Sequence, residues 1–401
     1  MPYRVTPTVV LLAASTVLTG GSLPSPQSSS NTPVIVHEWG TFTSVAGDDG
    51  TAVQWVPRQA PSELPCFVEQ LQLQIKGYLP GTVRMETPVL YFYAQAQTSV
   101  DVGVRFRQGL LTEWYPKAQA TPTSLDTPAS LGAYRRPEFE GSLSWSGVTI
   151  TPGANADFRT EPGASHYYQA RNTDAAPLRV GSQTERFLFY RGVGMFPPPI
   201  QTTLDDKGRV SVTSSGSVPI GDVVLFENHG GNMSYRLGHA TTGRLTLDMP
   251  DLDEQPAGLA ATLEDILVKQ GLYRKEAAAM VSTWSESWFE EGTRLFYFMP
   301  QSKVEEILPL QIRPEPASIV RAFVGRMELL TPAARENLEK AIMASDTGAM
   351  LKYGRFLQPF ADIVLARADA RTRAALEQRL KDNAFTLWSG FPPAAAAATC
   401  K

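Results

Sequence analysis

Thr202-Thr-Leu-Asp-Asp-Lys-Gly-Arg-Val-Ser-Val-Thr-Ser214 decides the reading of the fold. Two short strand-like runs flank Asp205-Asp-Lys-Gly208, whose residues favour a tight reversal, so the stretch predicts an antiparallel hairpin. The same signature repeats outward from it. Residues 34–45, 83–94, 99–106, 142–150, 186–191 and 223–227 each read as a strand closed by Gly, Pro or Asp. Strand following strand with no amphipathic helix between predicts an antiparallel β-sandwich-like body over residues 34–256. Within it, residues 114–183 are rich in Pro, Ala, Thr and Gly and read as long loops.

Past the Pro-rich stretch 249–256 the period changes, and residues 257–390 read as a mostly α-helical part. Leu259, Leu263, Ile266 and Leu267 share one helix face, with Gly271 as the stop. Thr331-Pro332 opens another helix with a capping hydroxyl and a first-turn proline. The expected class is therefore α+β, with residues 391–401 as a tail. Residues 1–22 read as an export leader: Arg4, an apolar run at 9–18, then small residues. Residues 23–33 read as a solvated linker. The run is too short to span a bilayer, so no transmembrane insertion is expected after leader cleavage. The expected location is periplasmic or extracellular.

The balance of 36 Lys and Arg against 40 Asp and Glu leaves a net charge of -4, which argues against nucleic acid as a partner. Cys66 and Cys400 are too few for a thiolate zinc centre.

One helix carries an anomaly. Its apolar stripe runs Tyr273, Ala277, Met280, Trp284, Trp288, and three residues further on stands Glu291. At about 100° per residue this puts Glu291 on the buried face and leaves Glu286 and Glu290 on a wet one. A buried carboxylate must be paired, protonated or coordinating. Trp288-Phe-Glu-Glu-Gly292 resembles the segment that supplies the third zinc ligand in thermolysin-like metallopeptidases. No His-Glu-x-x-His precedes it, and that assignment is rejected. The structural alternative is an ion pair of Glu291 with Arg294, Arg321 or Arg326, or backbone hydrogen bonds that tie the helix end to the following strand.

The chain has four histidines. His229 and His239 lie in Phe226-Glu-Asn-His-Gly-Gly-Asn-Met-Ser-Tyr-Arg-Leu-Gly-His239, and Glu227 and His229, two apart on a strand, point the same way. If Gly230-Gly231 turns the chain back, His37, His229 and His239 become ligands of a divalent metal such as zinc. Glu291 or Glu227 then serves as a further ligand or as the base that activates water. Against this stands a hydrogen-bonded core role for His37. A second reading pairs Glu86 with Glu291 for acid–base work, with Trp114, Tyr115 and Trp145 as platforms for a glycan.

Four blocks, Val36-His-Glu-Trp-Gly-Thr-Phe-Thr-Ser44, Met85-Glu-Thr-Pro-Val-Leu-Tyr-Phe92, Gly109-Leu-Leu-Thr-Glu-Trp-Tyr-Pro116 and Trp288-Phe-Glu-Glu-Gly-Thr-Arg-Leu-Phe-Tyr297, resemble a group of exported bacterial proteins of unassigned function. The resemblance implies export and an integrated architecture, and it implies no activity. The sequence thus favours a metal-assisted hydrolase acting on a small molecule between the β body and the helical part. The competing reading is a non-catalytic cell-envelope or carbohydrate-binding protein.

Overall fold

Ile35–Val45 and Ser318–Leu329 lie side by side and parallel at the centre of a nine-stranded sheet. Every other pairing in that sheet is antiparallel. From edge to edge the order is Asn232–Ala240, Gly221–His229, Gly292–Met299, Ser318–Leu329, Ile35–Val45, Val83–Tyr93, Leu188–Gly194, Gly109–Tyr115 and Glu69–Gln70. The computed structural model describes residues 1, 3, 33–56, 64–73, 79–162, 165–215, 219–252 and 258–390. All but two residues of the expected leader, nearly all of the linker, the tail and Cys400 lie outside the described residues.

Both faces of the large sheet are covered. On one, Leu90, Phe92, Leu225, Leu295 and Phe323 share a core with Val100, Val104, Leu143 and Trp145 of a six-stranded sheet. Val210 and Val212 of a three-stranded sheet join the same core. On the other face, Trp39, Tyr91, Phe226, Phe296 and Val324 pack against Leu263, Leu267, Ala277, Met280 and Trp284. These last come from the helices Leu259–Lys269 and Arg274–Trp288. The helices Pro332–Ala344, Leu357–Arg367 and Ala370–Gly390 gather a third cluster around Val45 and Trp55.

The expected β-sandwich body followed by a helical part is therefore corrected. The fold is α+β, but its body is several sheets, and its main sheet takes strands from both ends of the chain. Within the part expected to be mostly helical, residues 295–299 and 320–330 read as buried strands, and they are: Gly292–Met299 and Ser318–Leu329 are interior strands of the main sheet. Strands buried on both faces lose the alternation that marks a half-exposed sheet. The strand expected at 142–150 is present as Glu140–Ile150 in the second sheet, and the rest of 114–183, expected as loops, adds the short strands Gln119–Thr121, Ser124–Leu125 and Leu178–Val180. The hairpin at 200–214 is present, with Ile200–Leu204 paired to Val210–Ser214.

Two features position the chemistry. Neighbouring central strands bulge at one level: the register shifts between Trp39 and Thr41 against Val83–Tyr93, and again between Phe189 and Gly192. There Thr87 adopts φ +46°, and the Arg191 Nε and Nη2 groups donate to its hydroxyl at 3.2 Å. Bulges re-aim side chains in this way. The second feature is the helix end. Arg274–Trp288 stops with Phe289 as its cap, so Glu290 and Glu291 lie past it in the turn. Gly292, at φ +119°, then swings the chain into its strand, a conformation a side chain would strain. Arg294 donates to the carbonyls of Trp288 at 2.6 Å and of Glu290 and Glu291 at 2.8 Å, satisfying the exposed helix end.

Candidate functional site

The turn after the helix and the hairpin tip at Gly230-Gly231 meet at one end of the large sheet. Both glycines have positive φ, of 62° and 86°, which closes the hairpin tightly. The Gly230 N–H donates to Glu291 Oε2 at 2.9 Å, fastening the two turns. Beside them the His229 ring is held by Glu227, whose Oε1 lies 2.9 Å from Nε2. Its other nitrogen, Nδ1, faces Glu291 Oε1 at 3.6 Å, beyond direct hydrogen bonding. The Thr293 hydroxyl also donates to Glu227, at 3.4 Å.

These groups border a cavity of about 250 Å³. His229, Glu291, Asn337 and Lys352 stand at its rim, Leu329, Leu330, Ala334, Ala349 and Tyr353 form its wall, and Thr293, Glu328, Phe356 and Phe360 its floor. It lies between the sheet and the C-terminal helices. A hollow of about 440 Å³ opens elsewhere, beside Tyr93, Asp174 and Arg186, but its titratable groups are engaged. Tyr93 donates to buried Glu276, Asp174 pairs with Lys275, and Arg186 donates to the carbonyls of Thr173 and Ala175. The smaller cavity, by contrast, is lined by two of the expected site residues, His229 and Glu291.

Beneath the smaller cavity runs a buried ionic layer. Glu328 accepts from Arg326 at 2.6 Å and from Arg294 at 3.0 Å. Arg326 also reaches Glu290 at 2.5 Å and the Ser287 hydroxyl at 2.7 Å. Arg355, between the cavity residues Tyr353 and Phe356, pairs with Glu86 at 2.8 Å and donates to Ser287 at 3.2 Å. Burial pushes the Glu86 carboxyl up, but Arg355, Arg84, Arg326 and Arg191 together outweigh it and hold it down at about 2. Burial pushes Arg84 and Arg294 down to about 10, against the pull of Glu86 and Glu328 respectively. Glu290 is lowered too: burial opposes ionisation, and Arg326, Arg355 and Arg294 overcome it.

Of the expected site residues, Glu227, His229 and Glu291 come together. His37 and His239 do not, and the proposed metal set is corrected. His37 pairs in register with Val320, whereas Glu227 lies across from Thr293 and Thr293 from Leu329. Nine residues of strand separate the two levels, about 30 Å. His37 is buried, with Nδ1 2.7 Å from Glu276 Oε2 and its ring against Tyr273. His239 sits opposite Asp222, 2.6 Å from its Oδ1, roughly 23 Å of strand from His229. The glycine turn folds the hairpin back as expected, but His239 lies at its far end. Nor do the remaining three converge: the two ring nitrogens of His229 face different carboxylates, whereas a metal needs its ligands about 2 Å from a single point. Among the described residues no group of three or more His, Cys, Asp or Glu could hold a metal ion.

Two further expectations change. Glu291 is not buried; its side chain is 44% exposed, and Glu290 makes the ion pair. The helix stops three residues too soon for its phase to govern position 291. The aromatic platform is absent as well, for Trp114, Tyr115 and Trp145 are all in the core, Trp145 donating to the Pro116 carbonyl. Of the ionic layer the sequence indicated a pairing of Glu86 with Arg84; Arg326 and Glu328, likewise two apart in an apolar strand, carried the same signal and were missed.

No family model matches the chain, and no curated protein matches it. Among solved structures, the yeast delta-COP-I mu-homology domain complexed with a Dsl1 WxWxV peptide is similar at 7% identity and a TM-score of 0.27. That match covers 74% of this chain and 96% of the other. No helix of the described residues is long and apolar enough to cross a membrane.

Proposed function

We propose that this cavity is the active site of a hydrolase in which His229 activates water for attack on a small molecule. The observation that carries it is the His229 ring, oriented by Glu227 on one nitrogen and open on the other beside Glu291. With Nε2–H directed at Glu227, Nδ1 accepts a proton from a water that enters through the cavity. The water oxygen attacks, the proton passes to Nδ1, and it returns to the leaving group. Glu227 steadies the imidazolium formed in between, and Lys352 at the rim offsets charge on the attacked oxygen.

The test is a panel of chromogenic acyl esters, amides and phosphoesters assayed with the wild-type chain, His229→Ala and Glu227→Gln. At least one class is cleaved, and kcat/KM falls about 100-fold in His229→Ala. The thermal midpoint stays near that of the wild type, because the ring is half exposed. Cleavage of no class, or a rate indifferent to His229, ends the proposal. The proposal also includes export, on the strength of Arg4 and the apolar run at 9–18. N-terminal sequencing of protein from a bacterial periplasmic fraction should find residues 1–22 removed; a chain still beginning at Met1 would refute export.

A further inference from the structure

We infer that the cavity at His229 takes an uncharged carboxylic ester with a short apolar acyl group, in preference to a charged one of the same shape. The inference rests on the hydrolytic reading of His229 and narrows both the bond cleaved and the group that enters. Charge decides the first point. The floor carboxylate, Glu328, is met by Arg326 at 2.6 Å and by Arg294 at 3.0 Å. Arg326 also pairs with Glu290, so two guanidiniums stand against two carboxylates. Arg355, the next cation, is paired with Glu86 at 2.8 Å. The floor is compensated within itself and offers a ligand no spare charge of either sign. At the rim Glu291 and Lys352 carry opposite signs. An ion entering here gives up hydration and gains no net counter-charge, whereas a neutral ester gives up little. Phosphoesters, ionised at neutral pH, are excluded on the same ground.

Size and lining decide the second. Leu330, Phe356 and Phe360 give the cavity an apolar side. Tyr353 adds no free hydroxyl, because its own donates to the Ala334 carbonyl at 2.9 Å. At about 30 Å³ for each group the size of a water, 250 Å³ holds roughly eight non-hydrogen atoms. That is room for a butyryl or hexanoyl group and not for a fatty chain. His229, half exposed at the rim, sets the carbonyl carbon at the mouth, with the acyl chain inside and the alcohol in solvent. The water oxygen bonds that carbon, and the water proton passes to Nδ1. The carbon–oxygen bond to the alcohol then breaks, and the alcohol leaves with the proton from Nδ1. The acid ionises to a carboxylate that finds no net positive charge to hold it, which favours release of product.

The test is a series of 4-nitrophenyl esters, acetate to decanoate, assayed with the full chain and corrected for the rate of His229→Ala. The nitrophenoxy group is too bulky to enter, so the acyl chain is the half that is measured. kcat/KM should rise about threefold per methylene from acetate to hexanoate and fall about tenfold by decanoate. The succinate half-ester and the 6-aminohexanoate ester, one anionic and one cationic, should each be cleaved about tenfold more slowly than a neutral ester of the same length. Ala349→Leu, which fills part of the wall, should move the optimum to shorter chains. A rate flat with chain length or still rising at decanoate overturns the inference. So does a charged ester cleaved as fast as its neutral counterpart, or an optimum that stays in place in folded Ala349→Leu. If His229-dependent cleavage is confined to an amide or a phosphoester, the inference falls and the hydrolytic reading survives. If nothing is cleaved, both fall.

Discussion

Arg355→Met lowers the free energy of unfolding by about 3 to 5 kcal/mol, because it strands the Glu86 charge inside the protein. The Glu86 side chain is 4% exposed, and Arg355 is the group that hydrogen-bonds it from the C-terminal helices. Arg84, Arg191 and Arg326 remain near the carboxylate, which keeps the loss at the lower end of that range. Urea titration of the wild type, Glu86→Gln, Arg355→Met and the double variant Glu86→Gln/Arg355→Met checks the account. The double variant should recover part of the loss, since no unpaired charge remains. A double variant worse than the sum of its singles would show that the pair is not the unit described.

The same carboxyl sets a pH dependence. A folded-state value of about 2, below the ordinary 4.5, means that Glu86 contributes stability above pH 4.5. That contribution is lost as pH falls towards 2, and it amounts to about 3 kcal/mol at full extent. In Glu86→Gln the fall in stability between pH 5 and 2 should be shallower by about that amount. Parallel pH profiles for the variant and the wild type would contradict it.

Gly325→Ala should be the most damaging single methyl in the sheet, costing about 3 kcal/mol or more. Gly325 sits directly across from Tyr297 in the antiparallel register, and the phenol ring lies flat over the missing side chain. An added Cβ would fall 1.9 Å from the ring carbon Cζ and within 2.3 Å of both Cε atoms. Tyr297 is fully enclosed by the core that joins the sheets, so the ring has no open side to turn towards. Gly103, where an added Cβ would meet only a carbonyl oxygen at 4.0 Å, supplies the control. Gly103→Ala should change the thermal midpoint little, and equal losses at the two positions would discount the clash.

The sequence showed local structure better than arrangement. Thr331 caps its helix through the Ala334 N–H, and the helix at 259–269 buries the leucines and isoleucine picked out by their spacing. Glu227 and His229 were paired from their two-residue spacing alone, and they touch. What failed depended on partners far along the chain. Phasing assigned Glu291 to the core because nothing local announced that the helix would end at Trp288. The carbonyls freed there are taken by Arg294, from a strand whose place in the sheet no local pattern gives. His37 and His229 looked combinable because one-dimensional order does not say that they stand at opposite ends of the same sheet. Trp114 and Trp145 looked available because no local pattern told that the strands carrying them turn these rings into the core between sheets.

The central parallel pair also governs when the protein can exist at all. Glu38 and its partner Arg321 are 283 residues apart, and their strands adjoin in the middle of the sheet. At about 5 to 20 residues per second, a ribosome needs from about a quarter of a minute to nearly a minute to make the second after the first. Through that interval Ile35–Val45 has one side unsatisfied, and the growing chain lacks the centre of its main sheet. A chain stopped short of Leu329 is therefore not a smaller version of this protein but an unfinished one, whose fate in the cell rests with whatever holds it until the last strand arrives.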